Sequence, residues 1–300
     1  MTEQKIVPNI WCSGNAAEVA DFYVSAFPDA EVRGRTRYPT DGLADFQQPL
    51  AGEDLVVDFS IGGIRMMAIN AGPEFVPTPT LSFLVNLDPS RDDRAAARAD
   101  ELWQRLSEGG SVLMELGAYP FSKRYGWVQD HYGVSWQLML TDPEGEPRPF
   151  LIPSLMFANA NVNRAGEAVE FYTSVFADSR IGTLVRHPQD QGEARAGSLM
   201  FGEFAVGEQW FAAMDSPIRH DFDFNEGISL LVECDDQAEV DYFWDKLSRV
   251  PEAEQCGWCK DQFGVSWQVA PKGMEQLLHK PGNFEAMMKM KKIVLAEFRS

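Results

Sequence analysis

One twelve-residue stretch occurs twice in this chain, and the repeat restricts the architecture more than any other feature. Residues 126–137 read GWVQDHYGVSWQ and residues 257–268 read GWCKDQFGVSWQ, with eight of twelve positions identical. A recurrence of this kind has to be accounted for before any single element is assigned, because it sets the whole fold. Each copy reads as strand, tight turn, strand. Gly133 and Gly264 supply a backbone position without a Cβ, and Asp130 and Asp261 carry side chains that hydrogen-bond back to a turn. The apolar run 134–140 reads as a buried strand. A hairpin kept twice for packing accounts for this pattern as readily as a functional site does. The direction of Gln137, the polar inward candidate of the motif, separates the two readings.

The surrounding pattern is β-α-β-β-β. Residues 6–12 form an apolar strand interrupted by Asn9. Asn15 with Glu18 resembles a capping box, and a helix runs to about Phe27 with Val19, Phe22, Tyr23 and Phe27 on one stripe. Strands follow at 31–38, 55–61 and 64–70, the last two joined by the hairpin pair Gly62-Gly63. A Pro-rich connection, 73–80, leads to a second unit. It comprises a strand at 81–87, a helix at 95–106 and strands at 112–116, 125–129 and 134–140. Residues 142–149, DPEGEPRP, read as a linker.

The second half then repeats the first. IVPNIW at Ile6 aligns with LIPSLMF at Leu151, Phe22-Tyr23 with Phe171-Tyr172, and LSFLV at Leu81 with ISLLV at Ile228. Trp244 and Trp258 are closer than Trp103 and Trp127, so the second copy has lost length before its hairpin. The division is 1–142, 150–272 and a C-terminal extension, 273–300. Within the extension 284–292 has helical composition, with Phe284, Met287, Met288 and Lys291 on one face, and the segment 284–298 is expected to dock on the body.

The chain of 300 residues has a formal net charge of −19, while its last thirty residues carry six Lys or Arg against three Asp or Glu. The acidic balance disfavours nucleic acid and anionic membrane surfaces as partners. No stretch of eighteen apolar residues suggests a membrane span, and the N-terminus lacks the apolar core of a signal peptide. Four cysteines make no disulfide framework, so a cytoplasmic location is expected.

The twice-used β-α-β-β-β unit, the FY on the first helix and the pattern GW-x-x-D-x-[FY]-G-V-S-W-Q resemble the vicinal-oxygen-chelate superfamily. The closer likeness is to its PhnB-like branch, often labelled 3-demethylubiquinone 3-methyltransferase-like. The resemblance covers residues 5–271. It implies an α+β fold of tandem vicinal-oxygen-chelate domains, each of two β-α-β-β-β units forming a curved mixed sheet around a small-molecule cup. Each curved sheet has an edge and an apolar face needing cover, and a tandem chain supplies its partner at high effective concentration, so the two domains are expected to pair within the chain, with a homodimer left open.

Metal-using members of that superfamily take His, Glu or Gln ligands from the first and last strands of each unit. Here those strands offer neutral groups such as Asn9, Asn70, Ser82 and Gln137, with Asp215 and Glu233 only at strand ends. A neutral set does not offset the cost of dehydrating a dication, so neither a metal nor another cofactor is expected. Cys256-x-x-Cys259 lacks a second pair for zinc and a helix N-terminus that would activate a thiol. His131 lies in a turn and is replaced by Gln262 in the other copy. For a methyl donor the turns after the first strands lack a G-x-G.

A cup lined by aromatic and small polar groups remains. Trp11, Trp127, Trp136 and Trp210 offer flat surfaces; Asn9, Ser82 and Gln137, with Ser154, Ser229 and Gln268 as second-copy counterparts, offer neutral hydrogen bonds. The ligand-binding set is thus Asn9, Trp11, Ser82, Trp136, Gln137, Ser154, Ser229 and Gln268. The expected function is metal-free binding or sequestration of a small molecule. The alternatives are a metal-dependent isomerase, lyase or dioxygenase, a scaffold whose pockets its own side chains fill, and a 3-demethylubiquinone methyltransferase-like enzyme.

Overall fold

The computed structural model describes residues 4–299. The first unit is β1 (Ile6–Cys12), α1 (Ala16–Ala26), β2 (Ala30–Arg37), β3 (Asp54–Ile61) and β4 (Ile64–Asn70). The second is β5 (Leu81–Leu87), α2 (Ala95–Ser107), β6 (Ser111–Tyr119), β7 (Ser122–Gln129) and β8 (Ser135–Leu140). The third is β9 (Leu151–Phe157), α3 (Ala165–Val175), β10 (Ser179–Arg186), β11 (Leu199–Val206) and β12 (Gln209–Asp215). The fourth is β13 (Ile228–Cys234), α4 (Gln237–Leu247), β14 (Trp258–Lys260) and β15 (Ser266–Pro271). It is one strand short, at the place where the sequence is shortened. Two short helices follow, α5 (Met274–Leu278) and α6 (Asn283–Met288).

Strand pairing crosses the sequence halves. One sheet has the order β14-β15-β13-β1-β4-β3-β2, and the other β10-β11-β12-β9-β5-β8-β7-β6. β1 runs antiparallel to β13, with Asn9 opposite Ser229, and β5 runs antiparallel to β9, with Ser82 opposite Ser154. Each sheet is therefore two units around a cup, as the α+β reading requires. The units come one from residues 1–142 and one from 150–272, whereas the division by sequence places each pair in one half. The first strands of all four units are apolar on both faces, as a central strand must be, so their patterns do not reveal which partner each takes.

Alternate side chains along every strand face either the cup or the helices. On β1, Val7, Asn9 and Trp11 face the cup, while Ile6, Ile10 and Cys12 enter the main core. The helix-bearing faces of both sheets share that core, in which Trp136, Trp267, Tyr23, Tyr172, Phe59 and Phe83 are fully buried. The capping box expected at Asn15 is absent: its side chain caps nothing. The Asn70 side-chain oxygen, at the end of β4, instead accepts from the Ala16 N–H at 2.9 Å. Asp215 at the end of β12 does the same for Ala165 at 3.1 Å, which commits that strand-end carboxylate to a helix terminus.

The chain after β15 runs back along the seven-stranded sheet. Phe284, Met290, Ile293 and Phe298 are buried. The helix expected over 284–292 stops at Met288, and Lys291 is exposed. Backbone pairing overrides helical composition here: the Cys256 and Gly257 N–H groups donate to the Met290 and Lys291 carbonyls at 2.8 and 2.7 Å. A Cβ placed on Gly257 would lie 3.1 Å from Ile293, whereas one on the equivalent Gly126 would lie 3.0 Å from Leu116 of β6. The tail thus occupies part of the place that β6 takes in the other sheet. Two of its lysines meet body carboxylates, Lys291 with Glu254 at 3.1 Å and Lys292 with Asp241 at 2.6 Å.

Candidate functional site

The repeated motif is built around its aspartate. Asp130 Oδ1 accepts from the Tyr132 and Val134 N–H groups at 2.9 and 3.0 Å, closing the turn. Its Oδ2 accepts from the Tyr23 hydroxyl at 2.7 Å and the Trp136 indole at 2.8 Å. Asp261 repeats the set with Phe263, Val265, Tyr172 and Trp267, at 2.8, 3.1, 2.8 and 2.8 Å. The motif aspartate therefore ties a hairpin to the FY helix inside the core. Burial raises both carboxyls, Asp261 to about 6, while the indole and phenol donors pull the other way. Trp136 belongs to this clasp and lies fully buried on the helix face, so its place in the ligand-binding set is corrected. Alternation puts Gln137 on the cup face and its neighbour Trp136 on the other.

The cup of the eight-stranded sheet is filled. Gln137 donates to Ser82 at 2.9 Å and to Ser154 at 3.4 Å, and its oxygen accepts from the Tyr125 hydroxyl at 2.7 Å. Tyr125, Trp127 and Met156 pack there with Met114, Tyr119, Met139, Met214 and Phe222. The Trp127 indole is held by Ser135 at 2.7 Å. Ser82, Gln137 and Ser154 come together here and satisfy one another.

The cup of the seven-stranded sheet is open. It encloses about 540 Å³, within the range of small-molecule sites. Its floor carries Asn9, Met67, Leu231, Gln268 and Ala270. Trp11, Phe75 and Trp258 form one aromatic wall, with Trp11 edge-on to Phe75 at 5.0 Å and to Trp258 at 5.5 Å. Tyr38, Leu55 and Phe284 stand on another side, and Met274, Leu278, Met287 and Met288 of the tail lie over it. Of the expected residues, Asn9, Trp11 and Gln268 line this cavity, and Ser229 accepts from Gln268 at 2.9 Å beneath it.

The missing strand of the fourth unit, whose counterpart β6 brings Met114 and Tyr119 to the filled cup, and two substitutions contribute to the difference. The motif places Cys256 where the filled cup has Tyr125, and Ala270 where it has Met139. The smaller pair removes filling volume and takes away the hydroxyl that holds the Gln137 oxygen in the other cup.

The positions that would hold a divalent ion do not suit one. The inward groups of β1, β4, β13 and β15 are Asn9, Met67, Ser229 and Gln268, with no charge among them. The nearest charged groups on these strands, Arg65 and Glu233, pair with each other at 2.8 Å, and Arg65 also holds Asp58 at 2.7 Å. At these four strand positions a dication would find two neutral amides, a hydroxyl and a thioether, a set that does not offset its dehydration. Among the described residues no group of three His, Cys, Asp or Glu comes together in a metal-binding arrangement. Cys256 and Cys259 are free thiols; burial pushes Cys256 up to about 11 and raises Cys259 further, opposite to the activation a redox thiol needs.

Sequence reasoning missed Tyr38, Phe75 and Glu226 as lining residues, which arrive from loops, Tyr38 directly after the edge strand β2, and the place of the tail residues over the cavity. Trp258 was legible as the counterpart of Trp127. No helix among the described residues is long and apolar enough to cross a membrane.

Comparison with known proteins agrees with this architecture. A family model described as 3-demethylubiquinone-9 3-methyltransferase matches residues 4–139 and again 149–270. The PhnB protein of Bacillus cereus, described as a 3-demethylubiquinone-9 3-methyltransferase, is 33% identical over 46% of this chain and 100% of its own, with a TM-score of 0.39. Glyoxalase I from Zea mays is 11% identical but aligns over 91% of this chain and 94% of its own, with a TM-score of 0.50, a likeness of fold. Comparison with curated proteins gave no match.

Proposed function

The chain belongs to the PhnB-like, 3-demethylubiquinone-9 3-methyltransferase family of the vicinal-oxygen-chelate superfamily, and we propose that it is a metal-free binding or sequestering protein with one small-molecule site, in the cup of the seven-stranded sheet. The observation that carries this reading is the contrast between two cups of common design. One is closed by Tyr125, Met139 and a satisfied Gln137, and the other keeps an aromatic-walled cavity of about 540 Å³. A scaffold with no ligand would gain by filling both, because an apolar void forfeits dispersion contacts along its lining. The site joins aromatic faces and methionines to a few fixed polar groups, the usual constitution of a small-molecule site. The activity named in the family's description is a second reading; the turns after β1 and β9 lack the glycine pattern of a common nucleoside-cofactor site.

The test uses a neutral fluorescent probe, Nile red, and a double variant, Cys256→Tyr with Ala270→Met, that copies the filled cup. The wild type should bind about one probe per chain, and the double variant should lose this while melting no lower. Equal binding by a folded double variant would overturn the proposed location. A stoichiometric Zn, Ni, Mn or Fe in protein purified without chelator would replace the metal-free reading with a metal-dependent one.

A further inference from the structure

We infer that the ligand of the open cup is an organic cation, an amine or amidinium on an aromatic or branched apolar body. This deepens the binding reading above and rests on it. It starts from oxygens that have no partner. Asn9, 2% exposed on the cup floor, has an unpaired Oδ1, and Gln47, 7% exposed, has an unpaired Oε1. Glu226 has an unpaired Oε2 while its Oε1 holds Lys260 at 2.9 Å. All three side chains line the same cavity.

Buried polar atoms are nearly always hydrogen-bonded, since leaving one unmade costs its full desolvation. An oxygen can be satisfied only by a donor. The two amides, turned end for end, could present N–H instead. The carboxylate has no such freedom: whichever way Glu226 lies, the free atom accepts. A ligand that completes this site therefore brings N–H or O–H groups, and one of them faces a carboxylate.

The surrounding charge selects among such donors. Glu74, Glu233, Glu252 and Glu275 also line the cavity. Arg65, the one Arg or Lys lining it among the described residues, is already paired with Asp58 and Glu233. An anion entering here would lose hydration and meet a field of its own sign, whereas a cation would be drawn in. Trp11, Phe75 and Trp258 add ring faces, which attract cations once water is excluded.

Three probes sharing one skeleton test this: 1-naphthylmethylamine, 1-naphthylmethanol and 1-naphthoate, titrated calorimetrically at pH 7.5 in low and high salt. The amine should bind about tenfold tighter than the alcohol and tighter still than the acid, as a charge-assisted hydrogen bond implies. Its advantage should shrink as salt rises. Glu226→Gln should remove most of the amine's advantage and weaken the alcohol far less, because the alcohol loses only a neutral donor's hydrogen bond. Glu252→Gln, at the exposed rim, should reduce the advantage more weakly and guards against a folding defect in the first variant. If the alcohol or the acid binds as tightly as the amine, the cation inference fails while the cup stands as a binding site. An undiminished amine advantage in folded Glu226→Gln also overturns it. If none of the three binds the wild type and Nile red does not either, the binding reading fails and takes this inference with it.

Discussion

At the scale of single residues, the two aspartates of the repeated motif carry the greatest consequence. Asp261 is fully buried and accepts four hydrogen bonds, two at each oxygen. An asparagine offers one acceptor oxygen and a donor that can only face other donors, so Asp261→Asn should cost about 1–3 kcal/mol of stability at pH 7, where the carboxylate is ionised. Burial pushes the folded carboxyl up to about 6 from an ordinary 3.8. The folded state then holds the proton more tightly than the unfolded one. The stability this group contributes is fully present below pH 3.8 and is lost as pH rises through about 6. The deficit of the variant relative to wild type should accordingly shrink by about 2–3 kcal/mol between pH 4 and pH 7, at 1.36 kcal/mol per pKa unit. Urea midpoints of the two proteins across that range measure it. A gap constant with pH would show that this carboxyl does not titrate there.

At the scale of elements, periodicity and turn chemistry placed the helices and strands well, because alternation and amphipathic spacing are local properties. What was not local was not legible. The end of α1 is capped by Asn70, fifty-four positions away, where Asn15 and Glu18 had looked sufficient. Trp136 and Gln137 are neighbours that a period of two sends to opposite faces, and an apolar run does not reveal which face holds the cup. The cavity's tail, loop and edge-strand residues converge only through tertiary packing. The tail itself stops being a helix where it must offer carbonyls to Cys256 and Gly257. Ile293 is fully buried beside Gly257, so Ile293→Ala should cost about 2–4 kcal/mol. Removing residues 283–300 should lower the melting temperature further and expose the aromatic wall to a polar quencher. Amide exchange at Cys256 and Gly257 should become fast in the truncated protein. Unchanged exchange there would mean the tail's backbone pairing contributes nothing.

At the scale of the whole molecule, neither half of the chain owns a sheet. Residues 1–142 supply β1–β4 to one sheet and β5–β8 to the other, and each set ends on a central strand whose partner lies in the second half. An unpaired central strand is a sticky edge. Expressed alone, the segments 1–146 and 147–300 should therefore be unfolded or self-associated, and mixing them should restore a one-to-one complex that binds Nile red. Two stable, separately monomeric halves would contradict the sheet topology.

The same crossing imposes an order on the making of this protein. Translation delivers β1 early, yet Ile6 pairs with Val232, near the far end of the chain. The filled cup has all of its strands once Asp215 has left the ribosome, and domains generally fold as units from the N-terminal end during synthesis. It can close first, with nothing to bind, and hold α1 in place through Tyr23 and Asp130 while β1 waits. The open cup is assembled only when β13–β15 arrive, and Met274, Leu278, Met287 and Met288, which follow them in the chain, lie over its mouth. A chain that stopped after Asp215 would have every strand of the filled cup and lack β13–β15 of the open one, so of the two cups the proposed binding site is the later to form.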